Sequence, residues 1–412
     1  MNRKILIIGA VIILVGIGVV VYFLFFNSSA GITVSQTGAG FPVAGDGTSS
    51  DTSGTTSGSG KKITTSNPKG TPKIISARLV KISSGPVVPG EVVVDVPAVK
   101  MSSSSPAVAD EVIVNYIERQ SGNVFIYKAH AGVITRTNNQ TVPGIESASW
   151  APDSSFAFVR YLSGTDFSTI NTYALPGTQS GSGFFLPQNL SGIAVSSTSL
   201  LVLASGVNGS IASTAHLDGT HSSQLFTSPL TALHISFAGK QYLAYTKPSA
   251  SLSGYAFIVS SAGHFSTVAG PLNGLVALAS PSGKWLMVSS VSDNNTMQTK
   301  LINTTTGENI PLPIATIADK CVWTIDESTI YCGVPVSPSS DYSYPDGWYQ
   351  GVAHFSDRIW KIDVAGRYAQ LVLDFPSDAK DTLDAESLSV NPLNTELVFV
   401  NKNDGSLWGY SL

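Results

Sequence analysis

Charged residues are scarce in this sequence. Asp, Glu, Lys and Arg make up 12% of its 412 residues, and 27 acidic against 23 basic side chains leave a formal net charge of −4. Soluble proteins usually carry about twice that charged fraction. No block of Lys or Arg could neutralise a run of phosphates, so the sequence excludes nucleic acid as a partner.

Metal-binding and catalytic motifs are also missing. The two cysteines and six histidines do not have the spacing of zinc ligands, and neither His-Glu-x-x-His nor Gly-x-Ser-x-Gly occurs. The sequence therefore predicts no metal site, no cofactor and no catalytic residue. An enzyme stays open as an alternative, because the paired carboxylates of a glycosidase cannot be located without a structure.

An apolar segment at residues 5–26 contains no charge and directly follows Arg3 and Lys4. A helix of that length would reach roughly 33 Å, enough to cross a hydrocarbon core of about 30 Å. The two basic residues favour a cytoplasmic N-terminus. We therefore expect residues 1–26 to form a cytoplasmic tip and a single-pass anchor in the cell membrane, with the rest of the chain outside the cytoplasm.

A cleaved signal peptide is the alternative, since Ser28 and Ala30 have the spacing of a cleavage site, although this apolar run is longer than usual. Both interpretations export the rest of the chain. Residues 27–73 consist largely of Gly, Ser and Thr and cannot bury enough apolar surface to offset the entropy of ordering. We expect a flexible linker with an r.m.s. span of about 35–40 Å.

No helical periodicity appears after residue 27, and short apolar runs alternate with turn residues, which predicts an all-β domain over residues 74–412. A buried strand, a tight turn and a second strand recur along it. The first strand of each copy is predicted to end at Trp150, Val195, Phe237, Ala279, Trp323 and Val390. The gaps between these positions are 45, 42, 42, 44 and 67 residues. A period of about 40–45 residues is typical of β-propellers.

The two ends of this region determine the number of blades. Residues 110–119, 123–128 and 132–137 are predicted to form strands two to four of a first blade, whose first strand lies near residues 87–94. The C-terminus supplies only three strands of the last blade. A predicted strand at residues 76–82 would complete that blade, close the ring and protect its edge. We therefore predict seven blades, with six as the alternative because the 67-residue gap could hold an irregular unit.

Residues 150–159 (WAPDSSFAFV) resemble the WD40-like repeat of TolB-type propellers, in which an aromatic residue, Ser, Pro, Asp and Gly precede an apolar strand. Ser154 stands where that repeat has Gly. Residues 74–412 also resemble a group of membrane-anchored bacterial propeller proteins, for example through YPDGWYQG at residues 344–351. The first resemblance implies a periplasmic or surface scaffold that binds other proteins, and the second implies no particular activity.

Cys321 and Cys332 flank a predicted turn centred on residues 326–327, so a hairpin would place them opposite each other. Directly paired positions in neighbouring strands lie within disulfide distance. We predict a structural disulfide, which an extracytoplasmic location permits. Two buried free thiols are the alternative.

An insert at residues 335–357 accounts for the longest gap between repeats. Its candidate binding residues are Tyr342, Tyr344, Asp346, Trp348, Tyr349 and Asp357. Aromatic rings beside carboxylates on a loop can stack on sugars or hold a partner peptide. One alternative is a loop that folds onto its own blade and covers the propeller mouth. The other is a cation site formed by the Asp residues of the insert, although they do not have the regular spacing of a calcium loop.

The leading hypothesis is a non-enzymatic, membrane-tethered propeller that binds envelope proteins or surface glycans. The alternative is a glycan hydrolase or lyase with acidic residues in the central funnel. An apolar or Ser-lined funnel would favour binding. Two or more carboxylates converging there with a basic partner would favour the enzyme.

Overall fold

The structure is a computed structural model that describes residues 71–98, 110–137, 140, 142–178, 181–292 and 295–412. The predicted membrane segment at residues 5–26 and almost all of the predicted linker lie outside these residues. In the described part of the chain, no helix combines the length and the apolar character that crossing a bilayer requires.

Six sheets each contain four strands that are adjacent in sequence and pair in chain order. Such a unit is a propeller blade. Blade 1 contains β3 (Val92–Val96), β4 (Glu111–Ile117), β5 (Val124–Lys128) and β6 (Val133–Arg136). Blade 2 contains β7 (Ile145–Trp150), β8 (Phe156–Ser163), β9 (Thr169–Pro176) and β10 (Phe184–Phe185). Blade 3 contains β11 (Leu190–Val195), β12 (Ser199–Gly206), β13 (Gly209–His216) and β14 (Ser223–Ser228).

The next three blades follow the same plan. Blade 4 contains β15 (Leu233–Ala238), β16 (Gln241–Thr246), β17 (Ser253–Val259) and β18 (Phe265–Asn273). Blade 5 contains β19 (Val276–Ala279), β20 (Trp285–Val291), β21 (Met297–Asn303) and β22 (Asn309–Pro311). Blade 6 contains β23 (Cys321–Trp323), β24 (Thr329–Pro335), β25 (Asp357–Asp363) and β26 (Tyr368–Asp374). Short helical turns flank its strands: a 3-10 turn (Ala318–Lys320), α1 (Asp346–Tyr349) and α2 (Phe375–Asp378).

Blade 7 is assembled from both ends of the β domain. Its strands are β27 (Ala385–Val390), β28 (Glu396–Asn401) and β29 (Leu407–Ser411), followed by β2 (Leu79–Lys81) and β1 (Lys73–Ile74). The register pairs Leu79 with Tyr410 and Lys81 with Trp408. The predicted seven blades and the predicted closure of the ring by residues 76–82 are therefore confirmed.

Side chains reinforce this closure. The Arg78 guanidinium lies 4.7 Å from the centre of the Tyr410 ring, and its Nε donates a hydrogen bond to the Ser411 carbonyl at 2.6 Å. Leu79 is completely buried in the blade 7 core. Closure thus combines strand pairing with apolar burial and a cation–π contact.

The first strand of each blade lies nearest the axis. Neighbouring first strands contact one another in the pairs β7 with β11, β11 with β15, β15 with β19, β23 with β27, and β27 with β3. The six positions that the repeat predicted to end first strands all fall within the last two residues of those strands. The periodicity therefore placed the axial strands correctly.

The core lies between the blades. All six residues of β28 are buried, and so are the four consecutive residues 200–203 of β12. Both faces of a second strand pack against neighbouring blades, which explains why these strands are continuous apolar runs instead of alternating ones.

Four of the turns between first and second strands have a left-handed fourth residue. In blades 2, 5, 6 and 7 this residue is Ser154 (φ 60°), Gly283 (φ 76°), Glu327 (φ 58°) and Asn394 (φ 57°). Gly adopts this conformation without steric cost, whereas residues with a Cβ are strained by roughly 1–2 kcal/mol. Ser154, which replaces the Gly of the resembled repeat, therefore carries strain.

We predict that Ser154→Gly raises the free energy of unfolding by about 0.5–1 kcal/mol, because relief of strain exceeds the added entropy of the unfolded chain. Urea denaturation of the two proteins measures the difference. The matched control is Gly283→Ser, which should be destabilising because its Cβ would lie 2.4 Å from the Ala238 carbonyl oxygen. A less stable Ser154→Gly protein would contradict the strain.

Candidate binding site at the channel mouth

One end of the ring carries most of the candidate residues. First strands surround the axis in parallel, so they all begin at the same end, and the antiparallel second strands finish there. The insert at residues 336–356 connects β24 to β25 and therefore lies at this end. We call the beginnings of the first strands, together with this insert, the channel mouth.

The insert folds against its own blade. Tyr344 and Trp348 are each 3% exposed, and Asp357 is completely buried. Phe355 packs against both rings, with centroid distances of 5.3 Å to Tyr344 and 6.4 Å to Trp348. Tyr344, Trp348 and Asp357 were predicted to contact a ligand, and the structure corrects this prediction because all three are buried. Burial of the two rings is favourable because it removes large apolar areas from water.

A buried lysine stabilises the buried Asp357 carboxylate. Lys320 is completely buried, and its Nζ lies 2.9 Å from Asp357 Oδ2 and also contacts Asp384 Oδ1. The Trp348 indole N–H donates to both Asp384 oxygens at 3.1 Å. Burial raises the pKa of Asp357 to about 6, although the Lys320 ammonium opposes the rise. These paired charges fasten the insert to the beginnings of β23 and β27.

Sequence reasoning missed Lys320 and Asp384. Each directly precedes a first strand, β23 or β27, and this shared repeat position is the signal that could have found them. Their pairing leaves no local pattern, because the two residues are 64 positions apart.

Three of the predicted binding residues are not buried. Tyr342 and Tyr349 are each 38% exposed. The Tyr349 hydroxyl donates to Asp319 Oδ2 at 2.6 Å. Asp346 instead accepts a hydrogen bond from the Ala250 backbone N–H at 2.5 Å, which ties the insert to blade 4. The structure thus brings Tyr349 to the channel mouth and gives Asp346 an anchoring contact.

Tyr349 and Asp319 belong to a larger group that also includes His234 and Tyr245, which we call the mouth cluster. The His234 ring stacks on Tyr245, with centroids 4.9 Å apart and planes inclined by 18°. Burial lowers the pKa of His234 and raises the pKa of Asp319, and the attraction between the two groups opposes both shifts. The mouth cluster therefore presents the Tyr349 and His234 rings beside the Asp319 carboxylate, whereas the Tyr245 ring is buried.

Lys402 lies at the same end, directly after β28. Its Nζ is 4.5 Å from the centre of the Trp348 ring and 3.0 Å from Glu386 Oε2. The Lys402 and Glu386 side chains are 19% and 17% exposed, so solvent reaches this pair. The position supplies one accessible cation next to the insert.

A second unusual carboxyl group is Glu91, which directly precedes β3. Glu91 Oε2 accepts a hydrogen bond from the Ser387 hydroxyl at 3.2 Å, while Oε1 is buried without a partner. Ser387 has φ 52° and lies at a bulge in β27, where the Gly90 N–H donates to its hydroxyl at 2.9 Å. Burial raises the pKa of Glu91 to about 8, so this group is largely protonated at neutral pH.

The first strands carry many serine and aliphatic side chains, and they also carry the half-buried carboxylates Asp95 and Glu386. Their half-buried side chains include Ser147, Ser149, Ile193, Val195, Ile235, Leu278, Val322, Ser389 and Val390. The serine and aliphatic side chains fit the binding hypothesis, whereas Glu386 with its partner Lys402 is the kind of pair that the enzyme alternative expects.

The two cysteines occupy directly opposed positions in β23 and β24. Cys321 and Cys332 are joined by a disulfide. The alternative of two free thiols therefore does not describe this structure. The bond cross-links the first and second strands of blade 6, beside the insert.

A cleft lies at the opposite end of the ring, next to the turns that follow the first strands. Its volume is about 930 Å³, and its lining includes Asp95, Asp110, Glu111 and Asp153. Across the described ranges, no group of three or more His, Cys, Asp or Glu side chains could hold a metal ion. The cleft is a second concavity, whose surface is mostly apolar with four carboxyl groups in its wall.

Comparison with known proteins identifies the fold and no family. No family model and no curated protein matches this sequence. Oligogalacturonate lyase from Vibrio parahaemolyticus is similar in structure, with a TM-score of 0.50, 8% identity, and coverage of 80% of this chain and 98% of that one. TolB from Acinetobacter baumannii gives a TM-score of 0.41 and 10% identity, covering 68% of this chain and 78% of that one.

The β-propeller domain of the Trilobed protease from Pyrococcus furiosus gives a TM-score of 0.46 and 8% identity, covering 73% of this chain and 89% of that one. At identities of 8–10%, no activity can be carried from one protein to another. The strand order of the sheets shows that the chain is a seven-bladed β-propeller.

The pKa of Glu91 predicts how stability depends on pH. The folded protein keeps the Glu91 proton between pH 4.5 and about 8, whereas the unfolded chain has lost it. Stability from this group is therefore full at low pH and falls by about 1.4 kcal/mol per pH unit across that window. Glu91→Gln should flatten the decline, as measured by denaturant unfolding at several pH values.

Glu146→Gln is the matched control, because the Glu146 side chain is 60% exposed and pairs with Arg119 at the surface. Such a pair contributes little to stability, so the control should follow the wild-type pH profile. A Glu91→Gln protein with an unchanged profile would contradict the buried, protonated state of Glu91.

Proposed function

We propose that this chain is a single-pass membrane protein whose propeller lies outside the cytoplasm and binds a surface glycan or an envelope protein at the channel mouth. The observation that carries the proposal is the mouth cluster. Tyr349 is 38% exposed and its hydroxyl is held 2.6 Å from Asp319. An oriented ring beside a carboxylate suits a ligand with both apolar faces and hydrogen-bond donors.

A glycan fits this chemistry well. The C–H face of a sugar ring stacks on an aromatic side chain, and its hydroxyls donate to carboxylates. The His234 ring adds an exposed aromatic side chain from blade 4 and stacks on the buried Tyr245 ring. Contacts from several blades would give a ligand a defined orientation.

The state of the buried acids favours binding over hydrolysis. Asp357 and Asp384 are completely buried and paired with Lys320, so neither reaches a substrate in the channel. Glu386 is paired with Lys402. The second candidate, a glycan hydrolase or lyase, would use Glu91, because a carboxyl group with a pKa of about 8 can act as a general acid. Glu91 is only 8% exposed, so this role requires the mouth to open around it.

Two observations support the membrane-tethered arrangement: the apolar segment in the sequence and the disulfide in the propeller. Residues 5–26 are apolar and follow two basic residues, which favours a cytoplasmic N-terminus. The disulfide between Cys321 and Cys332 fits an oxidising compartment outside the cytoplasm. In the proposed arrangement the Gly/Ser/Thr-rich residues 27–73 hold the propeller near the membrane while leaving the channel mouth free to meet a ligand.

Tyr349→Ala should weaken ligand binding about tenfold or more, since it removes both a stacking face and a hydrogen bond. The binding partners to be titrated are soluble fragments of the cell's surface polysaccharide and, separately, purified envelope proteins. The matched control is Tyr368→Ala, which removes a 53% exposed tyrosine from β26, the outer strand of the same blade.

Equal affinity in the wild-type, Tyr349→Ala and Tyr368→Ala proteins would exclude the channel mouth as the binding site. Chemical turnover of the polysaccharide during the titration, lost in Glu91→Gln, would favour the enzyme over the binding module. Binding without turnover supports the module.

Protease added to intact cells should release a soluble fragment close to residues 74–412, because the proposed linker is exposed and extracytoplasmic. Immunoblotting of the supernatant detects the fragment, and lysed cells show that the protease cuts there. Release only after lysis would contradict the proposed topology. A fragment of this size already present in untreated medium would favour cleavage of the N-terminal segment.

A further inference from the structure

Lys320, Asp384 and Asp357 form a buried group in which one amine contacts two carboxyl groups. All three side chains are completely buried, and Lys320 Nζ is in contact with Asp384 Oδ1 and 2.9 Å from Asp357 Oδ2. A buried amine in contact with one carboxyl group and close to a second has every component of an amide condensation. We propose that Lys320 and Asp384 become joined by an intramolecular isopeptide bond, with Asp357 as the proton carrier.

The surroundings of the amine are dry and aromatic. Lys320 Nζ lies 4.8 Å from the centre of the Trp348 ring and 5.1 Å from the centre of the Phe355 ring. Exclusion of water favours loss of water from the acid and the amine. It also strengthens each electrostatic contact in the pocket. Intramolecular reactions between well-oriented groups reach effective concentrations of about 10⁵ M or more, and the folded protein holds this amine and this carboxyl group together.

The reaction balances without any added reagent. An ammonium proton passes from Lys320 Nζ to Asp357 Oδ2, and the free amine then attacks Cγ of Asp384. Asp357 returns that proton to Asp384 Oδ1 and relays a second one from the nitrogen. The C–Oδ1 bond breaks and one water leaves. The products are an amide and the original Asp357 carboxylate, so the net charge is unchanged.

The oxygen that stays on the amide already has its donors. The Phe355 backbone N–H donates to Asp384 Oδ2 at 3.0 Å, and the Trp348 indole N–H donates at 3.1 Å. Charge develops on this oxygen when the amine attacks, and fixed donors in a buried site stabilise it. The same two hydrogen bonds can persist to the amide oxygen of the product.

Asp357 is suited to move protons in both directions. Its Oδ2 accepts a hydrogen bond from the Ala385 N–H at 2.7 Å, which holds the carboxyl group against Lys320. Its Oδ1 is buried without a partner. Burial raises the pKa of Asp357 to about 6, so proton uptake from the amine is easier than for an exposed aspartate.

The bond would join two blades covalently. Lys320 directly precedes β23 of blade 6 and Asp384 directly precedes β27 of blade 7, which also contains the closing strand β2. Cys321, which forms the disulfide with Cys332, directly follows Lys320. Together the two cross-links would restrain the insert and resist unfolding of a domain exposed outside the cell.

Intact-mass measurement of the full chain, purified, reduced and denatured, tests the proposal. The expected mass is lower than that of the sequence by about 18 Da, the mass of one water. A tryptic digest should yield a branched peptide joining Lys320 to Asp384, with no cleavage after Lys320. Lys402 is the internal control. Solvent reaches its contact with Glu386, so a peptide ending at Lys402 should be recovered without a cross-link.

Two variants make the assignment specific. Asp357→Asn keeps the shape of the side chain without the proton carrier, and its full mass should be restored. Asp384→Asn presents an amide in place of the acid, so its reaction releases ammonia and lowers its own mass by about 17 Da. A wild-type chain of full mass that trypsin cleaves after Lys320 would overturn the proposal. A water loss that persists in Asp384→Ala would overturn the assignment to this pair.

Discussion

The pairing of β2 with β29 is the contact on which the rest of the structure depends. It joins segments more than 300 residues apart, since Arg78 binds the Ser411 carbonyl across a separation of 333 positions. Without it, blade 7 would end in an unpaired edge and the wedge-shaped blades would not be held in a ring. The channel mouth depends on this ring, because blades 4, 6 and 7 each contribute side chains to it.

The scarcity of charge gives each buried ion pair unusual weight. A chain with 12% charged residues nevertheless buries Lys320, Asp357 and Asp384 completely at one site. Removing ions from water is costly unless their partners and hydrogen bonds are nearly complete, and here Trp348, Phe355 and Ala385 supply those bonds. The contacts that hold the insert in place also bring the Lys320 amine and the Asp384 carboxyl group together. The arrangement that anchors the insert is therefore the one that the proposed cross-link requires.

Local features were predictable because hairpins are local. The first-strand positions and the opposition of Cys321 and Cys332 follow from strands that are neighbours in sequence. The first strand of blade 1 was predicted near residues 87–94, a few residues early. In the structure Val87 makes only an isolated bridge, and the strand β3 begins at Val92. Trp348 was expected on a binding surface, but its indole N–H finds Asp384, whose position depends on the next blade.

Periodicity alone determined the all-β class, the repeat and the need for a strand from the other end of the domain. Alternation and turn residues act over a few positions, and every blade repeats them. Only the tertiary structure decided which aromatic side chains of the insert face solvent and which acids are neutralised. Burial and the desolvation of charge arise when distant blades pack, so Tyr349 stays at the mouth while Lys320 meets a carboxylate 64 residues away.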